Sequence, residues 1–120
     1  MSKRTVVIGA SSNPERYAYK AVASLHKHGH EVFPIGIRAG KIEGIDIITD
    51  KPALINIDTV SLYVGPSNQP EWYDYILSLK PKRIIFNPGT ENPDFEKISQ
   101  QQGIETSEAC TLVLLSIGNY

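Results

Sequence analysis

Short apolar runs alternate along this chain with segments whose apolar residues recur at helical spacing. Thr5-Val6-Val7-Ile8 is an unbroken β-branched run that stops at Gly9. Such a run suits a strand buried on both faces. Residues 16–27 carry Ala18, Ala21, Val22 and Leu25 at helical spacing, with Gly29 placed as a C-cap. Residues 31–35 read as a second strand, and Pro34 marks its end because proline cannot donate to a ladder. Residues 36–44 read as a loop, residues 45–48 as a short strand or extended link, and residues 52–55 as one helical turn. The third long strand is predicted at residues 58–64, broken by Gly65-Pro66-Ser67. Ser67 then suits an N-cap and Pro70 a first turn, ahead of an amphipathic helix marked by Trp72, Tyr73, Ile76, Leu77 and Leu79. A fourth strand is predicted at residues 82–86, followed by the sharp turn Asn87-Pro88-Gly89-Thr90. A helix over residues 93–102 should bury Phe95 and Ile98 and close at Gly103. Residues 104–107 form the fifth predicted strand, and residues 109–117 a last helix docked on the core.

Alternation of this kind predicts an α/β fold: a Rossmann-like, doubly wound parallel sheet of five strands between two helical layers, as one domain over residues 1–120. The expected strand order is 3-2-1-4-5, with the switch point between the first and fourth strands. Ligands of open α/β sheets bind beyond the carboxyl ends of the strands at that point. The rule singles out the loops at residues 9–16, 36–41, 65–67 and 87–92.

Composition narrows the class without changing the fold. The hydrophobic fraction of 41% and charged fraction of 21% are those of an ordinary globular domain. A net charge of −1 argues against a nucleic-acid partner and gives no reason for membrane attraction. No segment approaches the roughly 20 apolar residues of a membrane helix. The single cysteine, Cys110, cannot form an internal disulfide, so a reducing cytoplasmic setting is the simpler expectation.

The loop after the first strand carries the clearest candidate chemistry. Gly9, Ala10, Ser11, Ser12 and Asn13 lead to the N-terminus of the first helix, with Arg16 and Tyr17 beside it. A helix N-terminus offers unpaired N–H groups and about half a positive charge to a phosphate. Only the first glycine of G-x-G-x-x-G is present, so a plain capped turn is the competing reading. After the second strand stand Gly36, Arg38 and Lys41, where an NAD site usually has an acidic residue. A basic loop suits a ribose bearing an extra phosphate, as in coenzyme A or NADP. The competing reading is that Arg38 and Lys41 are solvated loop charges. Gly65, Asn87 and Gly89 complete the candidate set from the remaining loops.

Val7-Ile8-Gly9-Ala10-Ser11 and Asn13-Pro14-Glu15-Arg16 resemble the opening of the small stand-alone CoA-binding domains, which are similar to the N-terminal domain of the succinyl-CoA synthetase α subunit. Val32-Phe33-Pro34-Ile35 resembles that family's second strand, Asn87-Pro88-Gly89-Thr90-Glu91-Asn92 its turn after the fourth strand, and Cys110 a cysteine often found after the fifth. The resemblance covers nearly the whole chain and implies a domain that binds coenzyme A, or an acyl-CoA, without chemistry of its own. The synthetase's phosphorylated histidine belongs to a separate domain that has no counterpart in these residues. Three positions depart from the pattern. Gly36-Ile37 replaces the usual Asn-Pro, Val64 and Gly65 stand where an arginine is common, and Ala109 stands where a basic residue precedes the cysteine.

Other chemistry is weaker. His26, His28 and His30 invite a metal reading, but two-residue spacing at a helix end does not share a face, and solvated histidines at a helix C-terminus account for them. Cys110 has no histidine placed by sequence as its base and reads as a small core residue. Trp72, Tyr73 and Tyr75 read as a helix face on the sheet. Tyr17 and Tyr19 flank the phosphate loop and are weighed between adenine stacking and packing of the first helix. Glu91 and Asp94 read as helix-start residues. Three functional classes follow: a coenzyme A-binding module, an NADP-binding redox or sensor domain that needs a partner, and a regulatory or structural protein that has lost the ligand. In the last case the apolar final helix offers a surface for a homodimer.

Overall fold

The computed structural model describes residues 2–120. Its elements are β1 (Thr5–Ile8), α1 (Tyr17–Lys27), β2 (Val32–Ile35), β3 (Lys41–Ile42), β4 (Ile45–Asp46), β5 (Thr59–Leu62), α2 (Tyr73–Ser78), β6 (Arg83–Phe86), α3 (Pro93–Gln101), β7 (Glu105–Glu108) and α4 (Thr111–Ser116). Five parallel strands form the sheet, in the order β2-β1-β5-β6-β7. The β-branched run of β1 serves both faces. Val6 and Ile8 join Val60, Leu62, Ile84 and Phe86 beneath Ile76 and Phe95 of α2 and α3. Val7 joins Val22, Leu25 and Leu115 beneath α1 and α4 on the other face. The outer strand β7 is polar, Glu-Thr-Ser-Glu, whereas the polar residues Thr5 of β1 and Thr59 and Ser61 of β5 are fully buried.

The class is the expected one; the strand order is not. The third long strand, β5, lies against β1 instead of outside β2, so the switch point falls between β1 and β5. The cause is visible at the outer edge of β2. Ile48 donates its N–H to the Pro34 carbonyl at 2.8 Å and accepts from Gly36 N–H at 3.0 Å. The link over residues 45–48 thereby takes the position expected for the third strand, and the chain crosses back to the free edge of β1. Pro34 is paired within β2 and does not end it. Its carbonyl faces the outer edge, so its missing donor faces that side too, where the ladder with β1 does not need it.

Other local differences have local reasons. Residues 36–44 are not all loop: β3 and β4 form a hairpin about Glu43 and Gly44, with φ of 48° and 81°. Both left-handed angles are what a two-residue hairpin turn demands. Residues 52–55 are not helical; the Pro52 carbonyl accepts from Tyr75 Oη at 2.7 Å and the Ile55 carbonyl from Arg4 Nε at 3.2 Å. Ser67 caps no α-helix, because two 3₁₀ turns, Pro66–Asn68 and Pro70–Trp72, precede α2. Ile98 is exposed, and Ser99 occupies the buried position of α3 instead.

At the amino ends of the strands, His30 is not a solvated helix-end residue. Its Nδ1 accepts from Lys3 N–H at 2.9 Å, and its ring packs 4.9 Å from that of Tyr120. Burial holds its pKa below the ordinary value, with the positive charges of His28 and Lys3 adding to the effect. A histidine that resists protonation when folded binds fewer protons than in the unfolded chain, so its contribution is present above about pH 6.5 and lost as pH falls through the folded value. The stability gap between wild type and His30→Gln, read from urea unfolding, should therefore narrow on acidification from about pH 7 to about pH 5. A gap independent of pH would contradict the neutral His30.

Candidate functional site

At the carboxyl ends of β1, β2 and β5 the chain leaves a cleft of about 1010 Å³. It is lined by Gly9, Ala10, Ser11, Ser12, Asn13, Arg16, Tyr17, Gly36, Arg38 and Gly65, all of them expected from sequence. Backbone packing explains the glycines. Gly9 has a φ of 96°, and a Cβ there would lie 3.1 Å from the Tyr63 carbonyl. A Cβ on Gly36 would fall well inside contact distance of the Ala10 carbonyl oxygen. Gly40, from the loop before β3, also comes close to Ser12, where a Cβ would meet the serine Cβ at 2.9 Å. Two loops that sequence placed separately are thus pressed together.

No serine or asparagine of the first loop caps α1. Ser11 Oγ accepts from Asn13 N–H at 3.1 Å, and Asn13 Oδ1 accepts from Glu15 N–H at 3.0 Å. Both side chains brace the loop and leave the helix alone. The N-cap of α1 is Arg16, with no side-chain cap and no acidic residue in the first turn. Helix α3 is the contrast: Asn92 caps it by accepting from Phe95 N–H at 3.1 Å, and Asp94 and Glu96 stand in its first turn. The N-terminal N–H groups of α1 therefore keep their unpaired positive character at the cleft. Arg16 and Arg38 add full charges. Both are exposed, and neither is in an ion pair; among the described residues the pairs are Arg4–Glu31 and Lys41–Asp46. Tyr17 and Ile37, 69% and 88% exposed, place apolar surface beside these cations.

Lys41, Asn87 and Gly89 do not line the cleft. Lys41 begins the β3–β4 hairpin and pairs with Asp46 at 2.8 Å. The other two follow from the corrected strand order: the loop after β6 lies one strand beyond the switch point. Asn87 is fully buried and spent on structure. Its Nδ2 donates to Ser61 Oγ and the Leu62 carbonyl, each at 2.9 Å, while its Oδ1 accepts from Thr111 N–H at 2.8 Å. Gly89 makes a turn with φ of 92°, and its N–H donates to the Glu91 carboxylate.

Sequence reasoning missed the far wall, made by Tyr63, Val64, Asn68, Glu71 and Trp72. The proline-spaced 3₁₀ turns hold it in place, a pattern that resembles an ordinary helix start when read from sequence. Gln69, fully buried, fixes these turns by donating to the Val64 and Thr90 carbonyls at 2.8 Å each and accepting from Asn92 Nδ2 at 2.9 Å. Burial raises the Tyr63 hydroxyl above the usual phenol range; it lies near Ser61 and Thr111 without a well-aligned hydrogen bond. Tyr19 lies outside the cleft and packs against the α1–α4 core. Cys110 is half-buried as the residue that precedes α4. No helix of the described residues is long and apolar enough to cross a membrane.

Comparison with known proteins gives the family and the fold. Residues 3–116 match the model of the CoA binding domain family. A crystal structure described only as that of an uncharacterized protein is 49% identical, covers 100% of this chain and 99% of its own, and superposes with a TM-score of 0.97. A protein from Thermus thermophilus, cell-free ID.343, is 22% identical over 99% of this chain and 91% of its own, with a TM-score of 0.84. A conserved hypothetical protein from Pyrococcus furiosus is 24% identical over 88% and 91% of the two chains, with a TM-score of 0.76. These last two show the shared fold alone. No match is found among curated proteins. With its family match spanning residues 3–116 and a full-length relative at 49% identity, the chain belongs to the CoA-binding domain family.

Proposed function

We propose that the chain binds coenzyme A or an acyl-CoA in the cleft and performs no chemistry on it alone. The observation that carries this reading is the uncapped N-terminus of α1 opening, with unpaired Arg16 and Arg38, into a glycine-lined cleft. The pyrophosphate sits at the α1 N-terminus, where backbone N–H groups and the helix dipole favour an anion. Gly9 and Gly36 let the chain pack closely around that position, since a Cβ at Gly36 would collide with the Ala10 carbonyl and one at Gly9 would crowd the Tyr63 carbonyl. Arg38 stands where the ribose phosphate lies, at the end of β2. Tyr17 and Ile37 give the adenine an apolar rest, and the pantetheine extends toward Gly65 and Trp72. Of the two family positions that lack a positive charge, Val64 lines the cleft and Ala109 does not. The cost in affinity therefore falls on one wall.

Thermal-shift titration with coenzyme A, acetyl-CoA, NADP and NAD tests the reading, because a ligand specific to the folded state stabilises it by an amount that grows with the logarithm of its concentration over its dissociation constant. The CoA compounds should shift the midpoint. Arg16→Ala/Arg38→Ala should weaken them by roughly tenfold or more, about 1 kcal/mol for each exposed cation. A shift with NADP alone supports the redox or sensor reading instead. No shift with any of the four overturns nucleotide binding.

A further inference from the structure

We propose, resting on the coenzyme A reading, that Glu71 sets the charge preference of the cleft's far end and disfavours acyl groups that carry a carboxylate. The two walls differ in sign. One presents Arg16, Arg38 and the α1 N-terminus; the other presents Gly65, Asn68, Glu71 and Trp72, with Glu71 as its charge. The Glu71 carboxylate is exposed and joins no ion pair among the described residues. The nearby cation, Lys51, contacts the backbone and not the carboxylate: its Nζ donates to the Glu71 carbonyl at 2.7 Å and lies 4.8 Å above the Trp72 ring, outside the cleft lining.

The backbone that carries Glu71 is also held in place. Pro70 opens its 3₁₀ turn, and the Trp72 N–H donates to the Gln69 carbonyl at 2.8 Å. Gln69 in turn is anchored to the β5 and β6 loops through Val64 and Thr90. A backbone fixed on both sides keeps the root of the Glu71 side chain at this wall of the cleft. The cleft is thus bipolar: a polyanion is favoured at one end, and a neutral or hydrogen-bond-donating group at the other. A ligand whose distal end is itself anionic meets like-charge repulsion there, which is partly screened because the site is open.

The test is calorimetric titration of wild type and Glu71→Gln with coenzyme A, acetyl-CoA and succinyl-CoA at low salt. In wild type, succinyl-CoA should bind about five- to tenfold more weakly than acetyl-CoA, as Coulomb repulsion at an intermediate dielectric gives. In Glu71→Gln the ratio of the two dissociation constants should approach one, and in wild type it should shrink as salt is raised. Equal affinities in wild type, or a ratio that the substitution does not change, overturn the role of Glu71 while leaving coenzyme A binding standing. If no CoA compound binds wild type, the reading beneath the proposal fails and the proposal fails with it.

Discussion

Gly36→Ala should destabilise the fold by about 2–3 kcal/mol, the range for forcing atoms into a packed site, and lower the melting midpoint by roughly 10 °C. The added methyl group has nowhere to go. It would enter the Ala10 carbonyl oxygen and lie 3.2 Å from Ile47 Cγ2. Both backbones at this point are pinned. Gly9 and Ala10 donate their N–H groups to the Ile35 carbonyl at 2.9 Å each, and Gly36 donates to the Ile48 carbonyl at 3.0 Å. Relief therefore means breaking hydrogen bonds that join β1, β2 and the link beyond them. The same displacement moves the phosphate loop, so affinity for coenzyme A should fall together with stability. A variant melting within about 2 °C of wild type would show that the strand ends are looser than this packing implies.

Asn87→Ala should be costlier, by about 3–4 kcal/mol, because it strips partners from buried backbone groups at about 1–3 kcal/mol each. The Leu62 carbonyl loses the Asn87 amide, and the Thr111 N–H loses its acceptor at the start of α4. Ser61 keeps Thr111 Oγ1 at 2.7 Å, so the loss there is partial. Urea unfolding gives the size of the effect. Ligand titration gives its meaning: the folded fraction of Asn87→Ala should bind coenzyme A as wild type does, since the side chain faces the β5–β6–α4 joint and not the cleft. A stable variant with weakened binding would return Asn87 to the ligand.

These two residues show how far the sequence carried. Apolar segments marked β1, β2, β5 and β6, and the glycine and serine loop after β1 pointed to the site, because both signals are local. Strand order is not local. The run over residues 45–48 is too short to announce that it takes the outer edge of β2, yet that pairing moves the switch point and removes Asn87 and Gly89 from the site. The structure supplies the reason: β5 is buried along its whole length, as a central strand must be, whereas β7 is polar, as an edge strand is. Gly36 was legible as a loop residue at the end of β2, but its reason, the Ala10 carbonyl, is a contact between segments distant in sequence. The far wall was missed because Pro66 and Pro70 support 3₁₀ turns as readily as a helix start.

The most direct test is a backbone amide NMR titration of the protein with coenzyme A. Saturating shifts should cluster at residues 9–18, 36–38 and 63–72, while Lys41 and Gly89 stay near their free positions. Shifts centred on residues 87–92, or none at millimolar ligand, would contradict a phosphate site at the N-terminus of α1.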